Sequence, residues 1–311
     1  MPVRGESIAR FFIAGLINAE TTLAVDNFPL EYSPDNYPFF GVQTTVSGVG
    51  FNIAKALTTL GNQVDLASLI GEDDNGWLAR KALAEAGIRD EFVLRNLAET
   101  AQSVILYEME GRRQIHTDLK DIQKKIYPIQ KAQEAIKNCD LAVICNINFA
   151  RPLLSVAKEA GKRVATDVHA LRSLDDNYNQ DYLRRANILF MSDERLPGSP
   201  EDIAKEVMDR FPTAILVIGM GKKGALIAVR EDGFVGRFEP VETRNVVNSI
   251  GAGDALFSAF PDRYLRTGDP YLSLKAAMVF ASYKIGEKGA AQGFLNGEEL
   301  DAWVKKSGSL S

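Results

Sequence analysis

Short apolar, β-rich runs recur along the chain at Phe11–Leu16, Val64–Ile70, Leu141–Ile147, Arg163–Asp167, Ile188–Met191 and Ala214–Ile218. Helix-spaced stretches fall between them, at Gly50–Leu60, Trp77–Ala86, Ile129–Lys137, Arg151–Ala160, Gln180–Arg185 and Pro200–Arg210. Strands that read as continuous apolar runs are buried on both faces. The alternation therefore predicts an α/β fold with a mostly parallel sheet and helices on either side. Two segments depart from it. Thr21–Ser47 carries Pro29, Pro34 and Pro38 and ends in alternating "GVQTTVS", and Gln102–Asp118 suggests a hairpin around Glu110-Gly111. Both read as β excursions, spanning about 20–47 and 98–118, that form a lid, a dimer contact or both. Leu216–Val247 reads as three short strands, followed by helices at Asp254–Thr267, Tyr271–Gly286 and Glu298–Lys305. Residues 1–311 read as one domain.

Composition adds exclusions. With 46% apolar and 25% charged residues the chain can bury a large core, and a net charge of −5 argues against nucleic acid or a membrane surface as partner. Cys139 and Cys145 lack a Cys-x-x-Cys spacing and read as buried thiols in a reducing compartment. The apolar patch in "MPVRGESIARFFIAGLINAE" is too short to span a bilayer and shows no cleavage pattern, so a soluble cytoplasmic protein is expected. His116 and His169 are far apart, without metal-ligand spacing; His169, after a strand end, reads equally as a cleft residue and a structural one.

Three glycine motifs carry the candidate chemistry. In "NVVNSIGAGDALFSAF", Asn245–Phe260, Gly251 and Gly253 permit positive φ and close approach, and a helix starting near Ala252 would point unpaired amides at an anion. Asp254 beside that anion would be a base, a metal partner or a helix cap. Gly219-Met-Gly221-Lys-Lys-Gly224 matches the dinucleotide fingerprint, with Glu239 where a ribose-binding acid would lie. The "ALIAVRED" that follows alternates like a strand, so these glycines read as a β-turn whose backbone approaches a flat ligand. In "SGVGFNIAKALTTLG", Ser47–Gly61, Gly48 and Gly50 precede a helix, and Asn52 in its first turn suits neutral hydroxyls or is an ordinary helix-start residue. No Walker loop occurs.

Together these segments resemble the ribokinase (PfkB-type) carbohydrate kinase family over nearly the whole chain. "NSIGAGDALFSAF" is similar to its C-terminal signature, Ser47–Gly76 with Gly71-Glu-Asp73-Asp-Asn-Gly76 to its N-terminal one, and Asn18 and Glu20 of "LINAETTLAVDNFP" to its early polar pair. The resemblance implies a three-layer ribokinase-like fold with a small β lid that commonly pairs with that of a second subunit. It implies Asp254 as general base, and the backbone of Gly251, Ala252 and Gly253 as anion hole. Asn18, Glu20, Gly48, Gly50 and Asn52 would face the acceptor. Gly219, Gly221, Gly224 and Gly289, the last within a stretch at Gly289–Gly293, would line ATP, and Glu194 in "FMSDERL" would act on Mg2+ through water. Departures are Glu20 for the usual Asp, Val49 where some members have Lys, and Asn248 where many have Asp. The last bears on the monovalent-cation site of ribokinase itself, so a cation requirement is not carried over. Arg112 and Arg113 of the lid read as solvated hairpin charges, with a substrate phosphate as their other use. The expected activity is ATP-dependent phosphorylation of a small neutral sugar or sugar-like molecule. A nucleoside kinase, a catalytically silent sugar-binding regulator and a Rossmann reductase are the rival readings.

Overall fold

The computed structural model describes residues 8–108 and 112–308; the hairpin turn expected at Glu110-Gly111 lies outside them. In chain order, β1 (Arg10–Ala14) is followed by β2 (Asn18–Ala24), β3 (Val42–Ser47), α1 (Val49–Thr59), β4 (Gln63–Gly71), α2 (Asp74–Glu85) and β5 (Val93–Leu97). Next come β6 (Gln102–Tyr107), β7 (Arg113–Asp118), α3 (Ile129–Asn138), β8 (Leu141–Ile144), α4 (Leu153–Glu159) and β9 (Val164–Ala170). The remainder is α5 (Gln180–Leu183), β10 (Ile188–Ser192), α6 (Pro200–Arg210), β11 (Ile215–Gly219), β12 (Ala225–Val229), β13 (Phe234–Phe238), α7 (Ala252–Thr267), α8 (Pro270–Lys284) and α9 (Gly297–Gly308).

Nine strands form one sheet in the order β13-β12-β11-β10-β9-β8-β1-β4-β5, parallel except for the antiparallel β12 and β13 at one edge. Its two faces are separately covered. Along β1, Phe11 and Ile13 join one buried cluster and Phe12 and Ala14 the other, as the alternation of side chains requires. The excursions meet in a four-stranded sheet, β3-β2-β6-β7, whose central pair β2/β6 is parallel and whose outer pairs are antiparallel. The mostly parallel α/β body with its small second sheet is the expected architecture.

Local chemistry sets the helix starts. Asp73 caps α2, Ser199 caps α6 ahead of Pro200, and Asp269 caps α8 ahead of Pro270. β5 was not anticipated: it has Arg95 and Asn96 at its centre and lies at the sheet edge. β2 begins ahead of the expected excursion, inside a polar segment. Cys139 and Cys145 are buried free thiols, and burial raises the proton affinity of both.

Helix α7, which carries Asp254, is anchored by a buried charge. Asp262 is fully buried and accepts from Asn62 Nδ2 at 2.8 Å and Arg266 Nε at 3.0 Å, tying the helix to the turn after α1. Asp262→Ala leaves both donors without that acceptor. Because Arg266 keeps some solvent, a loss near the low end of the range for broken buried pairs is expected, about 3 kcal/mol by chemical denaturation.

Candidate active site

The N-termini of α1 and α7 converge beyond the end of β1. A Cβ on Gly50 would lie 2.5 Å from the Gly15 carbonyl carbon, so only glycines let α1 settle against the end of β1. From the first turns of α1, Asn52 Nδ2 donates to Asp254 Oδ2 at 2.7 Å, and Asn52 Oδ1 accepts from Ser47 Oγ at 3.3 Å. The amide expected to meet substrate thus spends its donor on holding the Asp254 carboxylate.

Gly251 caps α7 in the left-handed region, at φ 76°, and a Cβ there would lie 2.6 Å from Ala290 O. Glycine is required at this position by conformation and by contact alike. The helix does not use the Asp254 side chain as its cap. Of the amides expected to form the anion hole, Ala252 N–H donates to Ser249 O at 3.2 Å, while Gly251 and Gly253 have no acceptor among the described residues. The Asp254 amide is also without one, so it takes the place foreseen for Ala252. A Cβ on Gly253 would meet nothing within 4 Å. Free amides opening on space at the start of a 16-residue helix suit an anion.

The small sheet closes over this loop. Its inner face carries Asn18 and Glu20 on β2, Ser103 and Ile105 on β6 and Arg113 on β7. Ile105 packs on Ile250 and Ala290. Asn18 Nδ2 donates to Ser103 Oγ at 2.7 Å, leaving Asn18 Oδ1 buried and unpartnered, and Glu20 Oε1 is likewise buried without a partner. Gly48 starts α1 at φ 103°, where a Cβ would stand 2.9 Å from Asn18 Oδ1. Arg112 and Arg113 are both exposed, as hairpin charges were expected to be, and each also has a partner. Arg112 pairs with the buried Glu108, and Arg113 Nη1 donates to Ser249 Oγ at 2.6 Å, linking lid to anion loop.

On the other flank, residues 221–223 form a tight turn between β11 and β12. The strand after Gly224 rules out the Rossmann geometry, which needs a helix there. Gly221 borders open space and a Cβ on Gly219 would make only an ordinary contact, 3.8 Å from Leu256 Cδ2, whereas a Cβ on Gly224 would lie 2.0 Å from Phe238 O, so Gly224 serves the close approach of β13. Gly289 N donates to Gln292 Oε1 at 3.2 Å in the segment that abuts Gly251. Glu194 is exposed in the loop after β10, beside Asp193, whose amide donates to Gly219 O. No cluster of three or more His, Cys, Asp or Glu able to hold a metal occurs among the described residues.

Charge is concentrated at the centre. Although part of Asp254 is accessible, its carboxyl lies deep enough that burial raises its pKa, against the Asn52 bond and the nearby His169 and Lys284; Asp167 adds to the rise. Burial also raises Glu20, opposed by its Ser47 bond and Lys284. Lys284, which the sequence did not single out, is fully buried at the end of α8, and its ammonium donates to Ile250 O. No local pattern marked it, because α8 keeps a solvent face at Leu272 and Lys275 and only the packing around its end turns Lys284 inward.

Comparison with known proteins bears on the family and the fold. A family profile described as pfkB family carbohydrate kinase matches residues 11–296. An ATP-dependent ribose-1-phosphate kinase of Halopiger xanaduensis is 27% identical over 286 residues, covering 91% of this chain and 94% of that one. A deoxyribokinase of Salmonella typhi is 25% identical, covering 83% and 87%. The structure of the microbiome-derived acarbose kinase Mak1 superposes with a TM-score of 0.86 at 26% identity, covering 96% of this chain and 100% of that one.

Proposed function

The chain belongs to the pfkB family of carbohydrate kinases, and from that premise we propose that it moves the terminal phosphoryl group of ATP to a primary hydroxyl of a small neutral sugar, as a single catalytic domain. Asp254 is placed to take the hydroxyl proton as the oxygen attacks. The Gly251, Gly253 and Asp254 amides are placed to hold the charge of the transferring group, and positioning with charge stabilisation supplies most of the rate. The residues fit a nucleotide: α7, with free amides at its start, packs through Leu256 beside Gly219, and the glycine turn that follows is open at Gly221. Mg2+ would be held mainly by the phosphates, with Glu194 acting through water, in keeping with the lack of a carboxylate cluster among the described residues.

One observation carries the choice of a neutral acceptor. The unpartnered buried atoms at the lid, Asn18 Oδ1 and Glu20 Oε1, are both hydrogen-bond acceptors and call for hydroxyl donors rather than a phosphate. Glu20→Ala is expected to raise the acceptor KM about 10- to 100-fold, the worth of one or two hydrogen bonds to a charged group. Nucleotide affinity should stay unchanged in the same variant, as calorimetry would check.

The acceptor is found by an ADP-release screen over sugars, sugar phosphates, nucleosides and polyols. Free sugars giving the highest kcat/KM support the proposal. Preference for sugar phosphates would transfer the acceptor role to Arg113. Preference for nucleosides would favour the second reading, for which the exposed Tyr32, Tyr37, Phe39 and Phe40 between β2 and β3 are the observation. Uniform inactivity would favour a silent sugar-binding regulator. The outer face of the lid, with Val42 and Val104 exposed, is read as the contact with a second copy, which light scattering would register as a dimer. No helix among the described residues is long and apolar enough to cross a membrane, and a cytoplasmic location suits the two free thiols.

A further inference from the structure

Against the anion loop lies a cation that the phosphotransfer reading has not used, Lys284 at the end of α8. Residues 247–250 are stitched to the end of α8: Val247 and Asn248 amides donate to Ile285 O at 2.8 and 3.2 Å, and Asn248 Nδ2 donates to Lys288 O at 2.8 Å. Asn248 Oδ1 in turn accepts from the Ile250 amide at 3.0 Å. Both ends of this side chain are therefore spent on backbone, and it is a neutral amide with no carboxylate to offer a metal ion. The Ile250 carbonyl, one residue before the glycine that starts the anion hole, is taken by the Lys284 ammonium. Lys284 has no solvent exposure, and among the described residues no side-chain carboxylate pairs with it directly.

We propose that the Lys284 ammonium is a built-in monovalent cation: it fixes the Ile250 carbonyl and hence the amides of the anion loop, and it makes phosphotransfer independent of added K+ or Na+. This rests on the reading of the site as a phosphotransfer centre. A lysine reaching a backbone carbonyl from a helix end does for the loop what a bound alkali ion does, supplying one positive charge and a ligand to the carbonyl oxygen. Being covalently attached, it needs no binding equilibrium. Lys284 is a positioning residue, since it acts on the reacting group through the loop and through the charge of Asp254.

The charged groups facing it are Asp254 on α7, Glu20 on β2, Glu287 just beyond α8 and Arg113 on β7. Burial pushes its pKa down to about 8, against the three carboxylates, which raise it, while Arg113 lowers it further. The sign follows. The ammonium is complete below pH about 8 and is lost as the pH rises through that value, so turnover falls on the alkaline side. The same depressed pKa means that burying the charge costs stability below that pH, and the cost is relieved towards the ordinary lysine value of 10.5.

The test measures turnover of the full chain in KCl, NaCl and tetramethylammonium chloride at equal ionic strength, alongside Lys284→Met. The wild type is expected to turn over at the same rate within about twofold in the three salts. Lys284→Met should lose about 10- to 100-fold in kcat, with little change in nucleotide Kd, and lose the alkaline limb near pH 8. Its Tm should be no lower than that of the wild type, because a buried charge has been replaced by an apolar chain of similar length. A purely structural lysine would lower Tm and kcat together. A wild-type rate more than about fivefold higher in K+ than in tetramethylammonium overturns the proposal without any variant, as does a Lys284→Met enzyme with wild-type kcat and pH profile. Absence of ADP release in every salt would instead remove the phosphotransfer reading, and this inference with it.

Discussion

Asp254→Asn is expected to lower kcat by about 10³-fold while nucleotide affinity changes little, because removing a general base falls within the 10²–10⁴ range for such groups. The asparagine keeps the shape of the side chain and a carbonyl oxygen for Asn52 Nδ2, now 2.7 Å from Asp254 Oδ2. What is lost is the ability to take the acceptor proton. The wild-type profile should carry the mark of the same group. Burial raises the Asp254 pKa above the ordinary value of 3.8, so activity should fall on the acid side at a pH above the usual aspartate range. Stopped-flow ADP release measures kcat, and calorimetry with a non-hydrolysable nucleotide measures affinity. A variant retaining wild-type kcat on the best acceptor contradicts the base assignment.

Gly253→Val is the second large effect, and it separates the two glycines of the loop. Gly251 has φ 76° and a Cβ position 2.6 Å from Ala290 O, so replacing it damages the fold as well as the site. Gly253 has no positive φ, and its Cβ would meet nothing within 4 Å. A valine there fits the empty protein and fills the space proposed for the transferring phosphoryl group. Turnover is expected to drop about 10²–10³-fold, as when an oxyanion-hole contact is removed, with Tm close to the wild type. A Gly253→Val protein with a strongly lowered Tm would assign the glycine to folding rather than to anion binding.

The body strands could be read from the sequence because burial on both faces leaves continuous apolar runs, as at Phe11–Leu16 and Ile188–Met191. β2 could be read only in part, for a physical reason: its inner face is the proposed acceptor surface, and Asn18, Glu20 and Thr22 stand where a core strand has apolar residues. The glycine turn at 219–224 was legible once the strand after it was weighed against the fingerprint. Arg113 was not, since its partner Ser249 lies 136 residues away and only the folded lid brings them together. Lys284 was the least legible. A lysine in the last turn of a helix ordinarily complements the helix dipole in water, and here the same position points inward to Ile250 O. Its burial depends on what packs around α8, which no local pattern records.

The most direct measurement is 31P NMR of the full chain incubated with ATP, Mg2+ and the acceptor that ranks first in the ADP-release screen. The account predicts ADP and a phosphate monoester of the acceptor in equal amounts, with both signals absent for Asp254→Asn on the same time scale. ADP accompanied only by inorganic phosphate, or monoester formed as fast by the variant as by the wild type, would contradict it.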